Sequence, residues 1–442
     1  MLSRSITPIR VGAFLGLVTA AAYMIGSRRS FGYDAAATFA SFVATPSLWD
    51  AFAVRAALPS ILLKTIASND HVLLSLLSHV IYSLTGLRNE WVYRLIPALA
   101  AGGTVGVATA VLSRRFGLLA GVCAGLYIAT DPLFVDNSRD LRGYSLAALL
   151  ALLATLVVVE SKWSRGRLLL YAVLLGLAIA THVFVAVVLL AHVAWIASKR
   201  SPAMLKQLAP AWLVAFLIGA AANAYIEVLV FIQHGFPPSL FDPTFPRDLV
   251  LFLLGAPALL PIGLWLTPVA LGLWVVRREA WVWASVAVLA GVVALLWLVL
   301  QPAYLYPRFF IFLIPGVAYL MAAAIVRWKV LAPVVALGAA AAIASQMPGY
   351  TQDPLALPQA AAAIERAEAA GRRVCVIHAD EQVLAAYTTR YSVVTTADQL
   401  RDCDLVVVVS WNVDLGLREE AAQQFLRRTL LPASYPAVVL ER

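Results

Sequence analysis

The chain has 442 residues, 62% of them hydrophobic and only 13% charged, with a formal charge of +9 and a mean hydropathy of +0.84. That composition excludes an ordinary soluble protein. The positive charge does not require nucleic acid, because arginine and lysine gather in short hydrophilic gaps between apolar runs, as the positive-inside rule expects.

The first apolar run, Val11 to Gly26, follows Arg4 and Arg10. Gly26-Ser27-Arg28-Arg29 is a poor small-residue cleavage site, so the run reads as a retained signal anchor with its N-terminus in the cytoplasm. Phe31-Gly32-Tyr33-Asp34 then places an acid just after the first span. Val72 to Leu84 has the length of a short span but an amphipathic pattern. His71, Ser75, Ser78, His79 and Tyr82 recur every three or four residues on one face, and leucines and Ile81 fill the other. The pattern predicts a helix lying in the membrane interface with its polar face wet.

Basic gaps follow at Arg114-Arg115, Lys162 to Arg167, Lys199 to Lys206, Arg277-Arg278 and Arg327 to Lys329. If all face the cytoplasm, an even number of crossings separates each neighbouring pair. Leu118 to Thr130 and Tyr144 to Val159 then form a pair, and Asp131 to Arg142 emerges on the outer side. The apolar stretch from Arg167 to Lys199, about 30 residues, is too long for one span of roughly 20. It reads as two short helices turning near Thr181-His182. Ala209 to Phe231 goes out and the proline-broken Leu249 to Val276 returns. Trp281 to Leu300, Phe309 to Val326 and Val330 to Ala344 follow. Charge parity thus implies about eleven crossings, with residues 28–90 as an outer loop of surface-lying helices within a membrane domain of residues 1–345.

Residues 346–442 change character. Gln359 to Ala370 reads as helix, 373–377 and 404–409 as buried strands, Leu415 to Leu430 as helix and 437–440 as a last strand. Such alternation implies a small α/β domain, placed by the crossing count on the extracytoplasmic side. Of the three cysteines, Cys123 lies in a span. Spacing alone does not decide whether Cys375 and Cys403 are bridged.

Ser138-Arg139-Asp140-Leu141-Arg142-Gly143-Tyr144 carries the densest chemistry. It sets an acid and two guanidinium groups between two hydrophobic spans, where ionisable groups are costly to hold and are functional candidates by default. His71 and His79 stand eight residues apart, two helical turns, too far to share one metal ion. No metal and no cofactor is expected.

In order, these motifs resemble the C-type membrane glycosyltransferases, and the protein mannosyltransferase and aminoarabinose transferase branch in particular. Asn69-Asp70-His71-Val72-Leu73-Leu74 is similar to that family's His-Pro-Pro-Leu segment, with both prolines missing. Arg94-Leu95-Ile96-Pro97-Ala98 resembles its Arg-Leu-Pro-Ser start of the second span. Ser138 to Tyr144 resembles Ser-Gln-Glu-Ala-Arg-Met-Tyr, with Asp140 and Arg142 at the acidic and basic positions. Tyr306-Pro307-Arg308-Phe309 resembles its Arg-Tyr turn before a late span. Many members have Asp-Glu in the first loop, where this chain has Asp34-Ala35, which puts in doubt any role that needs the pair.

The resemblance implies a multi-pass plasma (inner) membrane enzyme, a hexosyl- or pentosyltransferase. It would move a sugar from a polyprenyl-phosphate carrier to a lipid, glycan or protein hydroxyl on the outer face, with inversion. Its partners would be these substrates and membrane lipids, not nucleic acid. A hydroxyl needs a base to take its proton, and Asp34 is the candidate, with Asp140 orienting Arg142 or the acceptor. Departure of the lipid phosphate develops negative charge that guanidinium groups stabilise. Arg142 and Arg308 are assigned that role, and His71, Arg139, Tyr144 and His182 join them as substrate-binding candidates.

Each residue also has a plainer reading. Asp34 suits a helix cap, Asp140 with Arg142 a solvated ion pair, Arg308 a snorkelling span end and His182 a structural polar group. Two other classes share the composition. A transporter or flippase would show repeated halves and charges near the midplane, whereas here the charges gather at one face and no repeat is visible. A non-catalytic scaffold presenting the C-terminal domain is the third reading.

Overall fold

The structure, a computed structural model, describes residues 3–25, 31–49, 71–159, 163–199, 202–234, 243–256, 259–300, 305–351, 356–377, 381–409, 415–431 and 437–442. Residues 28–30 and 50–70 of the expected outer loop lie outside them. Packing divides the chain into two units. One comprises Met1–Ile25, His71–Leu74 and Arg94–Met347; the other comprises Gly26–Asp70, Ser75–Tyr93 and Pro348–Arg442. The first loop therefore groups with the C-terminal residues.

In chain order the helices are α1 (Ser3–Ile25), α2 (Tyr33–Thr38), α3 (Val72–Thr85), α4 (Glu90–Phe116), α5 (Leu118–Thr130), α6 (Pro132–Ser138) and α7 (Tyr144–Val159). They continue as α8 (Arg165–Thr181), α9 (Ala186–Ser198), α10 (Pro202–His234), α11 (Phe245–Phe252), α12 (Leu259–Val275), α13 (Ala280–Ala294), α14 (Ile314–Arg327) and α15 (Leu331–Thr351). Among the described residues, five helices are long and apolar enough to cross a membrane: Thr7–Ile25, Glu90–Phe116, Ala203–Ala224, Ala280–Val299 and Pro307–Arg327. The pair α5 and α6, bent by 58°, can make a sixth. Shorter apolar helices include Tyr144–Val159, Val183–Ser198, Leu259–Val275 and Leu331–Met347, at runs from which other crossings were expected.

In the first unit, α1 meets α4 through glycines spaced four apart on both helices. A Cβ on Gly16 would lie 2.5 Å from the Gly102 carbonyl oxygen, and one on Gly12 would lie 2.4 Å from that of Gly106. In lipid, where apolar surface gains little by leaving the bilayer, such close backbone approach supplies much of the packing. Tyr23 at the end of α1 also donates to the Ala129 carbonyl at 3.0 Å.

A buried polar chain ties four further helices. Trp212 Nε1 donates to Tyr171 Oη at 3.0 Å, and that hydroxyl donates to His192 Nδ1 at 2.9 Å. His192 Nε2 then donates to Thr155 Oγ1 at 3.1 Å, which donates to the Ala151 carbonyl at 2.8 Å. Every link is satisfied, so α7, α8, α9 and α10 are held in one register without an orphaned group.

The second unit holds a five-stranded sheet of β1 (Val374–Ile377), β2 (Ser392–Val394), β3 (Leu405–Val408), β4 (Arg427–Leu431) and β5 (Ala437–Glu441), in the order β2-β1-β3-β5-β4. β1 pairs parallel with β2 and β3, whereas β5 pairs antiparallel with β3 and β4. α16 (Leu357–Ala369), α17 (Glu381–Leu384) and α18 (Leu415–Gln424) accompany it. Leu417, Ala421 and Phe425 join Val406, Val408, Val438 and Leu440 in the core. Cys375 and Cys403 are bridged, with Cα atoms 5.9 Å apart. The helix expected over Leu415 to Leu430 ends at Gln424, and Arg427–Leu431 is the strand β4. Five residue pairs with β5 outweigh a local pattern in which neither Gly nor Pro occurs from Leu417 to Leu431.

The first loop packs within this unit. The Phe31 amide donates to Tyr387 Oη at 2.9 Å, and Phe39 sets its ring against Tyr82 and Tyr93 at 6.0 and 4.9 Å. The expected wet face of α3 is corrected here. Ser75, Ser78 and His79 are buried, and Leu77, Val80 and Leu84 are exposed. His79 Nδ1 donates to the Val43 carbonyl at 2.9 Å, and Ser83 donates to its Nε2 at 3.1 Å. The polar stripe is the packing face, anchored by the two hydrogen bonds of His79, and the apolar stripe faces out.

Candidate functional site

The site is built where α5 breaks. The Asp131 carboxylate accepts from the Phe134 amide at 3.0 Å and starts α6, whose proline at the first helical position suits the abrupt turn. After α6 the turn 139–143 closes on itself, with the Arg142 amide donating to the Asp140 carbonyl at 2.8 Å. Gly143 follows because nothing larger fits. A Cβ there would stand 2.7 Å from Thr181 Cγ2 and 2.9 Å from His71 Cβ. That contact brings the start of α7, the end of α8 and the start of α3 together. Ser145 then ties α7 to α4 through the Pro97 carbonyl at 2.9 Å.

Four arginines bear on the site, Arg94, Arg139, Arg142 and Arg308, and the first three are buried. Asp140 Oδ1 accepts from Arg94 Nη2 at 3.2 Å and from the Leu141 amide at 3.0 Å. The Arg94 side chain is fully buried, so this charge pair is a fixed part of the turn rather than a solvated surface bridge. Arg142 Nη2 donates to Tyr144 Oη at 3.1 Å. Arg308, in the 3-10 turn Pro307–Leu313, lies over the Tyr306 ring at 4.6 Å.

His71 and His182 lie side by side, with ring centroids 5.5 Å apart. Tyr144 packs against both, at 4.6 and 5.2 Å, and Phe309 backs His182 at 5.0 Å. His71 Nδ1 donates to the Thr181 carbonyl at 3.1 Å, which leaves Nε2 as a lone-pair acceptor. Among the described residues, neither His71 Nε2 nor His182 Nδ1, both buried atoms, has a hydrogen-bond partner. Burial first, then the charges of Arg142, His182 and Arg308, holds the His71 imidazole well below its ordinary value of 6.5.

Of the residues expected from sequence, His71, Arg142, Tyr144, His182 and Arg308 thus come together, and Asp140 and Arg139 sit in the adjoining turn. Asp34 lies in the other unit, half-buried in the first turn of α2. The fully buried Arg94 and the spacing role of Gly143 were not anticipated. A lone arginine four residues into an apolar helix was the available signal for the first. Among the described residues, no group of three or more His, Cys, Asp or Glu side chains could hold a metal ion.

No protein-family profile matches the sequence, and no curated protein is detectably similar to it. Solved structures are. The crystal structure of ArnT, an aminoarabinose transferase, from Cupriavidus metallidurans in the apo state superposes with a TM-score of 0.59 at 14% identity, covering 97% of each chain. ArnT of the same organism bound to undecaprenyl phosphate superposes at 0.60 with 15% identity, covering 98% of this chain and 97% of the other. The chain therefore has the C-type glycosyltransferase fold, a polytopic helical membrane architecture with a small C-terminal sheet domain.

Proposed function

We propose that this chain is an integral-membrane glycosyltransferase that moves a sugar from a polyprenyl-phosphate donor to an acceptor hydroxyl on the outer face of the plasma membrane. One observation carries the reading: Arg142 and Arg308 act together on a buried imidazole pair that has unmet hydrogen-bonding capacity. A mere span end would not gather two guanidinium groups around two neutral bases. An anion is the ligand such a group accommodates, because it answers the positive charge of the two guanidinium groups.

In the proposed reaction the acceptor oxygen attacks the anomeric carbon. The bond from that carbon to the phosphate oxygen breaks, and its electron pair stays on the phosphate. The lipid phosphate leaves with one more negative charge than the donor carried, and Arg142 and Arg308 stabilise it. The hydroxyl proton goes to a carboxylate, assigned to Asp34 on the sequence pattern. Direct displacement inverts the anomeric centre.

The Cys375–Cys403 bridge supports an extracytoplasmic C-terminal domain, because structural disulfides persist in oxidising compartments. ArnT with bound undecaprenyl phosphate supports a lipid phosphate as the carrier. Incubating the purified protein with polyprenyl-phosphate sugars and a lipid acceptor tests the reading: release of polyprenyl phosphate with glycosylated acceptor is expected. Translocation of the intact lipid without release would make the chain a flippase, and inertness toward every donor would leave a scaffold.

A further inference from the structure

We propose that the imidazole pair of His71 and His182 takes up one proton when a phosphomonoester occupies the site with Arg142 and Arg308, and takes up none for a phosphodiester. The inference rests on the carrier-site reading above. It adds that the site distinguishes the lipid phosphate it produces from the sugar-bearing lipid it consumes, by proton uptake.

The geometry begins with the Thr181 carbonyl. It fixes the proton of His71 on Nδ1 at 3.1 Å, so the buried Nε2 can only accept. His182 presents a second buried nitrogen, Nδ1, likewise without a partner among the described residues. Two unsatisfied nitrogens 5.5 Å apart by ring centroid carry a desolvation cost that a ligand can remove.

The groups facing the pair are Arg142 from the turn, Tyr144 from α7, the Thr181 carbonyl from α8, Phe184 from the segment after His182, and Arg308 with Phe309 from the 3-10 turn. Among the described residues, the charges that act on the pair are the two guanidinium groups. Together with burial, these oppose a further positive charge on either imidazole.

A phosphodiester brings one negative charge, which the guanidinium groups answer. A phosphomonoester brings nearly two above its second pKa of about 6. That extra charge cancels the positive field of the two guanidinium groups, which removes the opposition to an imidazolium and sets phosphate oxygens beside it. Protonation also turns the orphaned nitrogen into a donor aimed at a phosphate oxygen. Because the two rings interact, the proton belongs to the pair rather than to one residue. The same uptake offsets the charge that appears on the phosphate during transfer, and release of the product is favoured as pH rises.

Isothermal titration calorimetry of the purified full chain tests this, at pH 7.5 in two buffers of different ionisation heat. The probes are a short-chain polyprenyl monophosphate and its methyl phosphodiester. At that pH the free monoester has largely lost its second proton, so uptake belongs to the protein. About one proton is expected with the monoester and none with the diester. The double variant His71→Gln/His182→Gln should bind the monoester without uptake and lose about tenfold of its preference, equivalent to one pKa unit. Each single variant, read the same way, should lower the uptake, which covers a double variant that does not fold. Monoester binding by the native chain with no uptake, or undiminished uptake in the variants, overturns the inference alone. Failure of both lipids to bind the native chain overturns the carrier-site reading and the inference together.

Discussion

Replacing Gly143 by alanine adds one methyl group at the point where three helices meet. The new Cβ would stand 2.7 Å from Thr181 Cγ2, 2.9 Å from His71 Cβ and 3.0 Å from His71 Cγ. Ordinary contact begins at 3.4 Å, so the Thr181 methyl must retreat by about 0.7 Å or the turn must lift by as much. Thr181 is poorly placed to retreat. Its hydroxyl donates to the Leu177 carbonyl at 2.7 Å, and its own carbonyl holds His71. The displacement therefore passes to His71 and to the Arg142-to-Tyr144 segment. Overpacking of this kind costs about 1–3 kcal/mol of stability, whereas misplacing a positioned group by nearly an ångström can cost about 10²-fold in rate. The expected result is a modest fall in thermal midpoint and a disproportionate loss of sugar transfer. Gly166→Ala is the control, because nothing lies within 4 Å of its added Cβ. A Gly143→Ala protein with native transfer rate would show that the turn has slack and that the close contact does not position the site.

Removing either guanidinium by Arg142→Ala or Arg308→Ala should weaken carrier binding by about 2 kcal/mol, or roughly 30-fold, in a lipid-binding assay. Lysine should restore it only in part, because it lacks the planar fork; native affinity in both alanine variants would reduce these arginines to span anchors. Spin labels on α3 should report lipid contact at Leu77 and Leu84 and tight immobilisation at Ser78, and a water-accessible Ser78 label would restore the wet polar face. Gly32, not Asp34, is the N-cap of α2; Asp34→Asn keeps the side chain's shape but loses the base, so transfer should fall by about 10²- to 10⁴-fold while carrier binding is unchanged. Native turnover in that variant would move the base elsewhere.

Where local signals agree, the helix limits read from sequence and those in the structure coincide. Leu118–Thr130 and Tyr144–Val159 do so to the residue, because each apolar run is bounded by residues that break or start helices. Gly117, with φ of 91°, takes a conformation that glycine tolerates best. The hairpin at Thr181-His182 was likewise legible, since the apolar stretch was too long for one span. The three-residue β2 was not legible, being too short to show a period. β4 was not legible either, since its pairing with β5 is information held elsewhere in the chain.

The error at α3 has a more general cause. Periodicity shows that a helix has two faces, but it does not say which solvent each face meets. At a water surface, the polar stripe of an amphipathic helix turns outward. Beside lipid the preference reverses, because a group such as His79, bonded to the Val43 carbonyl and Ser83, is better satisfied by protein partners than by hydrocarbon. The candidate site follows the same physics. Its charged residues were visible in sequence because they interrupt apolar runs, where each is costly. Their mutual arrangement was not, because it depends on Gly143 having no side chain and on the Thr181 carbonyl fixing one imidazole tautomer. Neither condition has a signature in composition or spacing. Arg94 shows the limit most clearly. As a lone basic residue near the start of an apolar helix it resembles any snorkelling anchor, yet its side chain is fully buried against Asp140. The proposed role of Asp140 follows from that contact: it holds the Arg94 guanidinium and the Leu141 amide and so positions the turn, while the proposed base remains Asp34.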